Sequence, residues 1–97
     1  MKHAGPETIK RLADLLTQLR QRALLKEKTP GTFYVKSKAF LHFHDDPAGI
    51  FADVKLDMED YSRYRINTAA EQAALLAKID KCLATQRGAR RESFRSS

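Results

Sequence analysis

The stretch Ala39-Phe40-Leu41-His42-Phe43-His44-Asp45-Asp46-Pro47-Ala48-Gly49-Ile50-Phe51-Ala52-Asp53-Val54 reads as two strands joined by a turn. Aromatic and aliphatic residues alternate with polar ones at a period of two, the spacing that sends successive side chains to opposite faces of a pleated strand. Asp46-Pro47-Ala48-Gly49 supplies the turn, because proline presets φ and glycine accepts φ > 0. A slip of one residue would carry every apolar side chain to the wrong face, so the pattern also selects a register. Leu41 opposite Val54 and Phe43 opposite Ala52 place the apolar set on one side. The same register sets His42 against Asp53 and His44 against Phe51.

Upstream, Phe33-Tyr34-Val35 reads as a preceding strand, joined through a short turn at Lys36-Ser37-Lys38. Phe33 then faces Leu41, Val35 faces Ala39, and Tyr34 lies beside Phe40 on the other side. Downstream, residues 57–60 form a polar loop or a single helical turn. Arg63-Tyr64-Arg65-Ile66 alternates again, as a short edge strand with Tyr64 and Ile66 inward. Thr68-Ala69-Ala70-Glu71 has the spacing of a capping box and opens a helix over residues 69 to about 86. Leu75, Leu76, Ile79 and Leu83 are its inward stripe, and Gly88 suits its stop.

The N-terminal segment has the other period. Pro6 and Glu7 suit a first helical turn. Ile9, Leu12, Leu16, Leu19 and Ala23 then fall on one helical face, widened by Ala13, Leu15 and Leu24. This helix is expected to run to about residue 28, where Thr29-Pro30-Gly31 ends it. The expected fold is α+β in two layers, α-β-β-β-(β)-α, an antiparallel meander sheet packed on two helices. Residues 1–87 form one domain, and residues 88–97 read as a disordered basic tail.

Composition agrees with one small globular domain: 97 residues, 42% hydrophobic and 31% charged. No apolar run is long enough for a bilayer span, and the start of the chain has no signal-peptide pattern. Cys82 is the one cysteine, so no internal disulfide forms and a reducing cytoplasm is the expected location. The net charge of +6 invites a nucleic-acid reading. Its distribution weakens that invitation, since residues 29–68 carry five basic and six acidic groups. The excess sits on the first helix and in the tail.

With Phe33, Val35, Leu41, Phe43, Ala52 and Val54 facing the helices, the opposite face holds Tyr34, Phe40, His42, His44, Phe51, Asp53 and Lys55. An open antiparallel sheet normally shows water a polar face. A face this aromatic points to a partner, a ligand or cover by residues 57–66. The leading expectation is a non-enzymatic binding or protein-interaction module, homodimeric through that face.

Two alternatives use the same residues. His42 and His44 are two apart on a strand and leave it on one side, so with Asp53 they make a candidate Zn²⁺ site, Asp45 and Asp46 being nearby substitutes. Without metal, His42 and Asp53 form a cross-strand hydrogen-bonded pair. His3 falls in an N-terminus read as mobile. For nucleic acid, Tyr34, Phe40 and Phe51 would stack bases with Lys36, Lys38 and Lys55 at the edge. The acidic residues of the same hairpin speak against it. No catalytic constellation is present: Cys82 lies on an apolar helical stripe, and no phosphate-cradling loop or nucleophile motif occurs.

The hairpin string Phe40-Leu41-His42-Phe43-His44, with Asp46-Pro47-Ala48-Gly49 and Phe51-Ala52-Asp53-Val54, resembles small, functionally uncharacterised bacterial proteins of about this length. The likeness implies a free-standing bacterial cytoplasmic protein and carries no activity with it. The order of elements is also similar to α+β domains of the MmcQ/YjbR type.

Overall fold

The computed structural model describes residues 2–96, with side chains described for residues 4–86. Its elements in chain order are β1 (Lys2–His3), α1 (Pro6–Arg11), α2 (Ala13–Arg20), β2 (Lys26–Thr29), β3 (Thr32–Val35), β4 (Lys38–Asp46), β5 (Gly49–Val54), β6 (Ser62–Arg65) and α3 (Ala69–Ser96). Strands β2 to β6 form one antiparallel meander in sequence order, and β1 adds to β4 beyond the end of β3. The chain is α+β, with the sheet on one side of the core and the helices on the other. Among the described residues no helix is long and apolar enough to cross a membrane.

The central hairpin has the expected register. Leu41 pairs with Val54, His42 with Asp53, Phe43 with Ala52 and His44 with Phe51, and the ladder continues to Asp46 opposite Gly49. Asp46 closes its own turn by accepting the Ala48 N–H at 2.9 Å. The fourth strand also forms: Tyr64 pairs with Ala52 and lies against the core, with Ile66 fully buried after it. At the start of α3, Thr68 Oγ1 accepts the Glu71 N–H at 3.1 Å while Glu71 Oε1 accepts from Thr68 at 3.0 Å. That is the reciprocal capping box.

The extent of the first helix and the placement of Phe40 differ from expectation. The first helix does not reach residue 28. It pinches at Leu12, whose φ of −94° and ψ of 13° end α1 and begin α2, and α2 stops at Arg20. Residues 26–29 are a strand paired with β3, Glu27 opposite Phe33 and Thr29 opposite Thr32. Pro30-Gly31 therefore turns a hairpin rather than ending a helix. Gly31 has φ +82°, as the third position of a type II turn requires after proline.

Glu27 fastens this added hairpin. Its carboxylate accepts Arg20 Nε at 2.6 Å, Arg20 Nη2 at 3.0 Å and the Gly31 N–H at 2.9 Å. The Arg20 hydrogen bond is the first cause holding its pKa below the ordinary 4.5, with the Gly31 N–H adding to it against burial. A depressed folded pKa contributes stability that is complete above the unfolded value and disappears as pH falls through the folded one. The urea midpoint should therefore decline as pH drops below about 4.5. Glu27→Gln should flatten that decline, and an unchanged slope in the variant would remove Glu27 from the account.

The second correction concerns Phe40. Between Phe33–Leu41 and Tyr34–Ala39 the β3–β4 register shifts, leaving Phe40 as the extra residue of a β-bulge. The bulge turns its ring inward, and Phe40 and Leu41 are both fully buried although they are consecutive. Val35 consequently pairs with Lys38 rather than Ala39. The two-residue turn between them, Lys36 and Ser37 with φ of 52° and 69°, has the left-handed form whose twist suits a hairpin. Phe40 thus leaves the outer face and joins the core.

The core is one layer between sheet and helices. Leu12, Leu15, Leu16 and Leu19 from the N-terminal helices and Leu75, Ile79, Cys82 and Leu83 from α3 meet Phe33, Val35, Phe40, Leu41, Phe43, Ala52 and Val54 from the sheet. Cys82 is a core residue, its thiol pKa pushed up by burial and further by Asp57. The backbone of His3 pairs opposite His44, so the N-terminus, read as mobile, joins the sheet. The backbone of α3 continues past Gly88. The side chains of the tail expected at 88–97 lie outside those described.

Candidate functional site: the open sheet face

With the helices on one side, the outward residues of successive strands meet in a strip that crosses the sheet. Lys28 Nζ lies 4.8 Å from the centre of the Tyr34 ring. Tyr61, in the loop before β6, sets its ring edge-on to His42 with centroids 4.7 Å apart, and Lys55 Nζ lies 4.8 Å from that tyrosine. His42 and His44 pack edge to face at 4.7 Å. His44 Nε2 donates to Asp53 Oδ2 at 2.8 Å, and Arg63 grips the same carboxylate through Nε at 2.8 Å and Nη2 at 3.0 Å.

Each position follows from the pleat. His42, His44, Phe51 and Asp53 alternate with the core residues of β4 and β5, while Arg63 and Arg65 alternate with Tyr64 on β6. The expected cross-strand pair, His42 opposite Asp53, is present in the register, and the carboxylate also has a diagonal partner. That partner is His44, whose Nε2 lies 2.8 Å from Asp53 Oδ2. Asp53 is 6% exposed, so its charge requires partners. The Arg63 hydrogen bond is the largest cause holding its pKa below the usual carboxylate range; burial opposes it, and His44, Arg63 and His42 add electrostatically. The Tyr61 hydroxyl is shifted the other way, upward, by burial first and then by Tyr34 and Asp53.

The sequence-predicted residues do not all arrive here. Tyr34, His42, His44, Phe51, Asp53 and Lys55 do. Phe40 is in the core, and Lys36 and Lys38 lie in and beside an exposed turn. Asp45 accepts a hydrogen bond from the Thr8 hydroxyl, and Asp46 is occupied by its turn, so neither joins the histidines. Among the described residues the group able to converge on one cation is His42, His44 and Asp53, with ligand atoms within 4.8 Å of one another.

Sequence reasoning missed Tyr61, Arg63, Arg65 and Lys28. The signal for the first three was present, since the alternation that sends Tyr64 and Ile66 inward sends positions 61, 63 and 65 outward. Lys28 was hidden because its segment was read as helix.

The charge of the face also differs from that of its sequence segment. Within that segment Asp57 accepts the Glu59 and Asp60 N–H groups, both at 2.9 Å, Asp46 accepts the Ala48 N–H and Asp45 accepts from Thr8 of α1; beyond it Glu71 is in the capping box and Asp80 pairs with Arg22 at 2.9 Å. Those acids serve turns, caps and helix contacts. Along the strip, Lys28, Lys55, Arg63 and Arg65 stand against two acids, Asp53, which Arg63 grips, and Glu71, whose Oε2 lies 3.8 Å from Arg65 Nε. The arrangement can stack a planar ring on Tyr61 and Tyr34, pair with anions at its edges, and present two imidazoles beside a carboxylate. Compared with known proteins, the chain matches no family model, no curated protein and no solved structure.

Proposed function

We propose that this chain is a non-enzymatic binding module of the cytoplasm that takes single-stranded nucleic acid on the open sheet face. The observation that carries the reading is the strip itself: aromatic rings bracketed by cations across neighbouring strands. Adjacent strands are about 4.8 Å apart, so five strands present roughly 20 Å, the reach of two or three stacked bases on a sheet platform. Stacking tolerates any base, because every base has a π-face, and the cations hold phosphates.

Self-association through this face, the other partner favoured from sequence, loses support on two counts. Phe40 no longer contributes apolar area, and a two-fold contact would set this cation-bearing face against a second copy of itself.

Fluorescence anisotropy with single-stranded RNA and DNA tests the proposal. Tyr61→Ala should weaken binding by about 1–3 kcal/mol, roughly 5- to 150-fold, and leave the melting temperature nearly unchanged because Tyr61 is 41% exposed. About three phosphate contacts give a slope near −2 for log affinity against log salt concentration. Binding should survive replacement of Arg87, Arg90, Arg91 and Arg95 by Gln. Loss of all binding in that variant would assign the effect to the tail. A concentration-dependent dimer that Tyr61→Ala dissociates would assign the face to a second copy.

A further inference from the structure

We infer that His42, His44 and Asp53 form a site for one divalent transition-metal ion of the Zn²⁺ and Co²⁺ class, with Arg63 as the competitor that holds Asp53 when the ion is absent. His42 and His44 leave β4 on one side, and Asp53 stands directly opposite His42 on β5, so three ligand-bearing positions are fixed by a paired ladder rather than by a loop. Sites built on paired strands need little reorganisation to bind.

The donor atoms are already close. His44 Nε2 and Asp53 Oδ2 are 2.8 Å apart, and all three ligand atoms lie within 4.8 Å of one another. Two ligands at about 2.0–2.1 Å from a tetrahedral ion are roughly 3.4 Å apart. Closing the longest separation to that value takes a side-chain adjustment and no movement of the strands. Two imidazoles and one carboxylate suit Zn²⁺, Co²⁺, Ni²⁺ or Cu²⁺, and three protein ligands leave a coordination position for water or another ligand.

The surroundings favour a dication. The side chains of His44 and Asp53 are 13% and 9% exposed, so a charge placed between them is screened weakly. Arg63, by contrast, has a side chain 49% exposed, and its guanidinium can swing into solvent at small cost. Asp53 then exchanges a half-exposed monocation for a buried dication.

An alternative role for the cluster is purely structural, with Asp53 present to satisfy Arg63 and His44. The two roles differ in what Arg63→Gln does. If Arg63 competes with the ion, the variant binds metal more tightly, by roughly 5-fold for a half-exposed ion pair. If the cluster is structural, neither wild type nor variant binds.

The experiment is Co²⁺ titration of the full chain followed by visible absorption, with Zn²⁺ calorimetry beside it. Wild type should bind one equivalent, with a tetrahedral Co²⁺ spectrum. His42→Ala combined with His44→Ala should abolish binding, and Arg63→Gln should tighten it. Lys28→Gln, on the strand at the sheet's edge, should leave it unchanged, which separates this site from the nucleic-acid reading. Absence of binding by wild type overturns the inference. So does binding that survives loss of both histidines. Because Arg63→Gln and Lys28→Gln retain all three ligands, an unfolded double-histidine variant still leaves two folded variants that decide the matter.

Discussion

Phe40→Ala should destabilise the domain by about 3–5 kcal/mol. The ring is fully buried within the core cluster, at the residue where the β3–β4 ladder shifts. Removing it forfeits the transfer energy of a whole aromatic side chain and leaves a cavity that the surrounding framework cannot fill. The backbone at this residue is fastened independently, since the Phe40 carbonyl accepts the Lys55 N–H at 2.9 Å, so the strands have little freedom to collapse into the space. For a domain whose total stability is of order 5–15 kcal/mol, this is a large fraction. Urea unfolding of wild type and variant measures it through the shift in midpoint at constant slope. A change below about 0.5 kcal/mol would return Phe40 to the surface and the bulge would have to be abandoned.

Gly49→Ala is the second large effect, expected at about 2–4 kcal/mol. Two independent costs combine. Gly49 has φ +138°, a backbone conformation that residues with a Cβ rarely adopt, at a cost of about 1–3 kcal/mol. An added Cβ would also run into the Asn67 side-chain amide, approaching its Oδ1 at 2.8 Å. That oxygen accepts the Ile50 N–H at 2.9 Å, so displacing it unmakes a hydrogen bond worth about 0.5–1.5 kcal/mol. At about 4–8 °C per kcal/mol for a domain this small, the melting temperature should fall by roughly 8–32 °C. A double-mutant cycle separates the two costs. In the Asn67→Ala background the clash and the hydrogen bond are already gone, so Gly49→Ala should cost less there by about 1 kcal/mol or more. Equal costs in both backgrounds would leave backbone strain as the whole cause.

These two residues mark where sequence reading succeeded and where it stopped. Gly49 was legible as the end of a turn because the requirement is local: Asp46-Pro47-Ala48-Gly49 joins two alternating runs, and the chain has few other ways to reverse there. The capping box at Thr68 and Glu71 was legible for the same reason. Phe40 was misplaced because strict alternation assigns it outward, and a bulge interrupts alternation by one residue. What selects the bulge is the room for a ring beneath the β3–β4 hairpin, and that room exists only after helices and sheet have packed. Residues 26–28 were misread because their local helix preference is real, while the edge of β3 that they pair with lies beyond a turn.

The candidate site divides in the same way. His42, His44 and Asp53 were named from two facts of sequence, a spacing of two on one strand and a register across one hairpin. Both are properties of a pleated ladder, so the sequence by itself determined that these three residues share a face. It also determined the α+β class, the four-strand core of the meander and the capped final helix, because each rests on contacts between near neighbours in the chain. Only the tertiary structure decided what stands around the histidines. Arg63 reaches Asp53 from the neighbouring strand, Tyr61 folds back over His42, Lys28 arrives from a strand the sequence concealed, and Phe40 leaves for the core. Those four placements depend on twist, bulge and side-chain packing between distant segments, where small differences in packing energy outweigh any local preference.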